Sequence, residues 1–126
     1  MSTLRDLTNK QVRAVVEYVD GDGHTIFDRK VLLDDCGWPA EIADTVCEKL
    51  ESDMGSPKGM IFGKNYEVIE ELYGWYGLSV LSQLAAVLEV DYEDKMGRGF
   101  RARSITKALL EHLDNPTVAA GEQNDV

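Results

Sequence analysis

Two cysteines and two histidines are all that the 126-residue chain offers as soft metal ligands or ready catalytic groups. Cys36 and Cys47 stand in no metal-ligand spacing and are too few for a disulfide scaffold. Both lie in apolar patterns and read as reduced, buried thiols. His24 falls in a turn-like stretch, and His112 near the end of a helical one, where a protonated ring suits the helix dipole. No serine or cysteine occupies a nucleophile elbow. The Asp and Glu residues follow cap and surface patterns and form no evident dyad. GRGFRARS lacks the spacing of a Walker phosphate loop. DGDGH begins like a calcium loop, but counting from Asp20 the sixth position is Thr25 and the twelfth Val31, where glycine and glutamate are required. The expectation is a non-enzyme with no cofactor and no metal.

Long apolar runs are also missing. None approaches the roughly 18 residues of a membrane span. The opening MSTLRDLTNK has no apolar signal core, so a cytoplasmic protein with no membrane partner is expected. Positive charge is in short supply: 13 Lys and Arg face 23 Asp and Glu, giving a net charge of −10. That disfavours general binding to nucleic acid.

What is present is helical patterning on the scale of one domain. Thr8 and Gln11 fit a capping box, and Val12, Val15, Val16 and Val19 follow at helical spacing. Valine favours strands, so a small hairpin over 15–27, turning at DGDG, is the alternative. The helix is preferred, ending at Gly21 or Gly23. Asp28 can cap a short helix carrying Val31, Leu32 and Leu33, stopped by Gly37. Pro39 suits the first turn of the next helix, with Ile42, Ala43, Val46, Cys47 and Leu50 on one face. Trp38 is the expected plug at the joint. The stretch 52–63 reads as a loop. Asn65 caps a helix with Val68, Ile69 and Leu72 inward, ending among Gly74 and Gly77. Ser79 then opens another, with Leu81, Leu84, Ala85 and Leu88 as its stripe. Asp91 caps a short turn ending at Gly97. The last helix starts near Phe100 or Arg101 and buries Ala102, Ile105, Ala108, Leu109 and Leu113. The fold class is all-α: a single domain of five to seven short helices over 1–114, followed by a flexible tail over 115–126.

Two local features stand out. Lys95, Arg98, Arg101, Arg103 and Lys107 fall in 16 residues without an acid, 95–110, and removing those five charges leaves −15 on the remainder. Arg98, Arg101, Arg103 and Lys107 are the candidate anion or partner contacts. Arg98 and Arg101, in a glycine-flanked turn, are expected to reach outward. The bland reading is that these cations only balance acids of the same molecule. Tyr73, Trp75 and Tyr76 form an aromatic corner, either ordinary core or a partner-binding patch.

LSVLSQLAAVLEVDYEDKM, residues 78–96, resembles the closing helices of XRE-type helix-turn-helix repressors. That resemblance implies a DNA-reading helix just before it. The residues there, EELYGWYG, are acidic and aromatic and offer no basic face to base edges. The family is therefore not adopted. LLDDCGWPAEIADTVCEKL echoes the same motif, but its would-be reading helix carries Glu41, Asp44 and Glu48, which phosphates repel. The function expected is a small acidic protein-interaction module: an adaptor, regulator or inhibitor, with mimicry of nucleic acid as one form. Its partner is another protein or a second copy of the chain. A nucleic-acid-binding regulator using 95–107 is the alternative.

Overall fold

The computed structural model describes residues 3–22, 27–55 and 66–114. All secondary structure in these residues is helical. Residues 24–26 of the alternative return strand 24–27, the loop residues 56–63, the Asn65 cap and the 115–126 tail lie outside them.

The chain enters through a 3-10 turn, Leu4–Asp6, closed by reciprocal Thr3 and Asp6 bonds. Helix α1, Asn9–Asp22, follows. The expected box is there: Gln11 N–H donates to Thr8 Oγ1 at 3.1 Å, and Thr8 N–H to Gln11 Oε1 at 2.8 Å. Val12, Val15 and Val16 are buried. Their 3–4 spacing points them at the core, and burial outweighs valine's weak helix preference. The hairpin alternative is thus set aside for 15–22. The helix runs through Gly21, since one exposed interior glycine costs only about 1 kcal/mol.

Asp28 Oδ1 accepts the N–H groups of Lys30 (3.1 Å) and Val31 (3.3 Å), capping as expected. The helix it starts widens into a π-helical turn, Val31–Asp35, closed by Cys36 N–H to Val31 C=O. Gly37, at φ +71°, ends it. Gln11 bolts this joint to α1. Its Nε2 donates to Gly37 C=O at 2.9 Å, and its own C=O accepts Trp38 Nε1–H at 3.0 Å.

Helix α2, Ala40–Met54, has Pro39 at its N-cap rather than inside its first turn. Ile42, Ala43, Val46 and Leu50 are buried as the spacing predicts. The helix extends past Ser52, where a loop was expected, and stops at Gly55, φ +95°.

Helix α3, Tyr66–Leu88, is one continuous helix of 23 residues where two were expected. Gly74, Gly77 and Ser79 do not interrupt it. The reason is tertiary: a Cβ at Gly77 would lie 3.3 Å from both methyls of Val19, so the glycine lets α1 approach. Leu72, Tyr76, Leu78, Val80, Leu81, Leu84 and Ala85 are buried around most of its circumference. A helix apolar on nearly all sides belongs at the centre, and α1, α2 and α4 all pack on it.

Glu89, at φ +56°, ends α3 in the left-handed conformation. Val90 N–H reaches back to Ala85 C=O (2.8 Å) and Glu89 N–H to Ala86 C=O (3.2 Å), the Schellman pattern that usually takes glycine. Left-handed strain of about 1–2 kcal/mol sits on this exposed residue. Glu89→Gly is expected to raise stability by about 0.5–1 kcal/mol once glycine's larger unfolded entropy is subtracted. Urea unfolding measures it, and a loss of stability would mean that the carboxylate contributes something else.

Residues 90–95 have no regular structure, so Asp91 caps no turn. Helix α4, Arg98–Asp114, begins straight after Gly97, φ +91°. Ile105, Thr106, Leu109 and Leu113 are its buried face, against α3 and α1. An Arg13–Asp114 ion pair joins α1 to the last turn of α4.

Candidate interaction surface at the start of helix α4

Three large apolar side chains are substantially exposed among the described residues: Trp75, Met96 and Phe100. Met96 and Phe100 flank the first turn of α4, and Arg98 links that turn to Trp75 on α3. Phe100 is 61% exposed for a geometric reason. At about 100° per residue, Phe100 and Leu109 lie about 180° apart on the helix, so packing Leu109 turns Phe100 outward. Arg103 and Lys107, three and seven residues on, share that outer face.

Sequence reasoning proposed the arginines but not Met96 or Phe100. The signal was available in the i, i+3, i+7 spacing of Phe100, Arg103 and Lys107.

The five cations of 95–107 divide. Lys95 pairs with Glu93 at 3.5 Å, and Arg101 pairs with Asp94 at 3.1 Å and donates to Lys95 C=O. These two balance local acids, each exposed pair being worth about 0.2–1 kcal/mol. Arg98 instead lies over the Trp75 ring, 5.9 Å from its centroid, and Arg103 over Phe100 at 5.4 Å. No carboxylate pairs with Arg98, Arg103 or Lys107 among the described residues. The expectation that Arg98 and Arg101 project freely from a turn is corrected: both belong to α4, and each is held. Each of the three guanidiniums has a different neighbour, so no single anion site forms between them.

The aromatic corner divides as well. Tyr76 is buried and its hydroxyl donates to Gly55 C=O, tying α3 to the end of α2. Tyr73 meets it edge to face, with centroids 5.8 Å apart. Burial pushes the Tyr76 hydroxyl up to about 12, with Glu51 adding to it. Only Trp75 of the three faces outward.

Gly74 belongs to this surface. A Cβ there would overlap the Arg98 guanidinium. Because that is the end of a flexible side chain, Gly74→Ala is expected to displace Arg98 from Trp75 while the helix stays intact. The better helix former gains about 1 kcal/mol, and the lost cation–π contact returns about 0.5–1 kcal/mol. Stability should therefore change by less than about 1 kcal/mol, while Trp75 fluorescence changes. A collapse of the unfolding midpoint would reveal another packing role for the glycine.

Elsewhere the chemistry is sparse. Burial pushes the Cys36 thiol up to about 12, with Asp35 adding, and Cys47 up to about 11, with Glu51 adding. Neither is a nucleophile at neutral pH. Among the described residues, no three of His, Cys, Asp and Glu come together to hold a metal ion. Within the same residues, no helix is long and apolar enough to cross a membrane. Comparison with protein-family profiles, curated proteins and solved structures finds no match to this chain.

Proposed function

We propose that this protein is a non-enzymatic interaction module, an adaptor, regulator or inhibitor that binds another macromolecule through the start of α4. One observation carries the reading: Phe100 is 61% exposed on the outer face of α4, with the Arg103 guanidinium over its ring and Lys107 on the same face, and no carboxylate among the described residues pairs with either cation. Aromatic and arginine side chains are the commonest anchors of protein interfaces. The reduced, unpaired Cys36 and Cys47 support a cytoplasmic setting.

A benzophenone photocrosslinker in place of Phe100, in cells of the native host, tests the reading. The same group at Glu41, exposed on α2, is the control. Adducts from position 100 and none from position 41 are expected. If position 100 yields none, the surface is not a contact and the reading fails.

A further inference from the structure

No large apolar side chain anchors the first turns of α4. The buried residues of the helix begin at Ile105 and end at Leu113. Within 98–104, the small Ala102 is the one apolar side chain that packs against the core among the described residues. Arg101 and Ser104 are bonded, but to Asp94, Lys95 and Glu93. Those three residues are exposed and have no regular structure. Their bonds therefore fasten the segment to its own lead-in rather than to the domain.

Arg98 does reach the domain. Its guanidinium lies over the Trp75 ring, 5.9 Å from the centroid, and against Gly74, where a Cβ would stand 2.6 Å from its Cζ. At about 100° per residue, Arg98 lies about 160° around the helix from Phe100, while Arg103 and Lys107 fall within about 60° of Phe100. Arg98 thus faces α3, and the candidate contact face looks away from it. Phe100 and Arg103 belong to the weakly packed segment. Lys107 belongs to the part that Ile105 and Leu109 bury. The three side chains share a face only while 98–104 is helical and continuous with the rest of α4.

The cost of local opening follows buried apolar contact, and a helix end with little of it opens without the domain. We infer that Arg98 is a positioning residue for the contact face. By closing over Gly74 and Trp75 it holds 98–104 in the helix, and so keeps Phe100 and Arg103 in register with Lys107. Gly74 is the other half of this latch, since its missing Cβ leaves room for the guanidinium. What the face is for rests on the interaction-module reading; the latch rests on packing alone. Linkage makes the coupling mutual: a partner bound across Phe100, Arg103 and Lys107 suppresses the opening of 98–104 by the factor that opening takes from its affinity.

Hydrogen exchange, read amide by amide on the full chain under native conditions, tests the latch. The amides of 101–104 should open at least about tenfold more often than those of 109–113, which need the domain to unfold. Gly74→Ala evicts the guanidinium and changes no residue of α4. It should raise the opening of 101–104 about two- to fivefold, the range that one cation–π contact supports. The amides of 109–113 should stay within about twofold, because alanine's helix preference in α3 offsets the loss in global unfolding. Arg98→Gln, which inserts nothing beside Gly74, should raise 101–104 by a similar factor. Equal protection of 101–104 and 109–113 in the parent chain, or no rise in either variant, would overturn the latch. The benzophenone at position 100 then reads the coupling. In the Gly74→Ala background its adducts in the native host should fall at least about twofold. Unchanged adducts beside faster exchange would overturn the positioning role while the contact face stands. Absence of adducts in the parent chain removes the contact face and the positioning role together, and the exchange result then measures the latch alone.

Discussion

Trp38→Ala is expected to lower the free energy of unfolding by about 3–5 kcal/mol. Trp38 is 3% exposed at the joint between the π-helical turn and α2. Its ring is core, and its Nε1–H makes one of the two bonds by which the joint holds Gln11 of α1. Truncation removes both and leaves a void too large to close. Trp38→Phe separates the contributions: it keeps most of the apolar volume and loses the bond, about 0.5–1.5 kcal/mol net, plus the smaller ring. Urea unfolding of both variants gives the answer. If alanine costs no more than phenylalanine, the ring is not packed as described.

Leu84→Ala is the second large effect, at about 2–5 kcal/mol. Leu84 has no exposed surface and lies about one turn before the end of α3, the helix that α1, α2 and α4 all touch. Its loss should weaken the whole domain in one cooperative transition, with the midpoint falling and the slope unchanged. Leu84→Met, which nearly conserves volume, should cost less than about 1.5 kcal/mol. A Leu84→Ala change below about 1 kcal/mol would show that α3 is not the core.

Both residues were visible in the sequence, and it is instructive to see why others were not. Leu84 belongs to a 3–4 stripe, and Trp38 stands between two capped segments, so local pattern and tertiary role agree. The Thr8–Gln11 box likewise depends on neighbours three apart and nothing else. Gly74 and Gly77 are the opposite case. Local propensity reads glycine as a stop, whereas here Val19 and the Arg98 side chain come from other elements to occupy the missing Cβ space. Glu89 could not be foreseen as a left-handed helix end, because no glycine or asparagine marks it. At the site, the basic residues were plain from charge alone. Their division into acid-paired and ring-stacked sets depends on Glu93, Asp94, Trp75 and Phe100, whose positions only the packed helices fix.

The contact between α1 and α4 sets a clock on synthesis. Arg13 and Asp114 are 101 residues apart in the chain. At about 5–20 residues per second, the ribosome needs about 5–20 s to supply the second after the first. Through that interval Val12, Val15 and Val16 wait without the last helix that completes their burial. A nascent α1 therefore leaves that stripe incompletely covered until α4 is made.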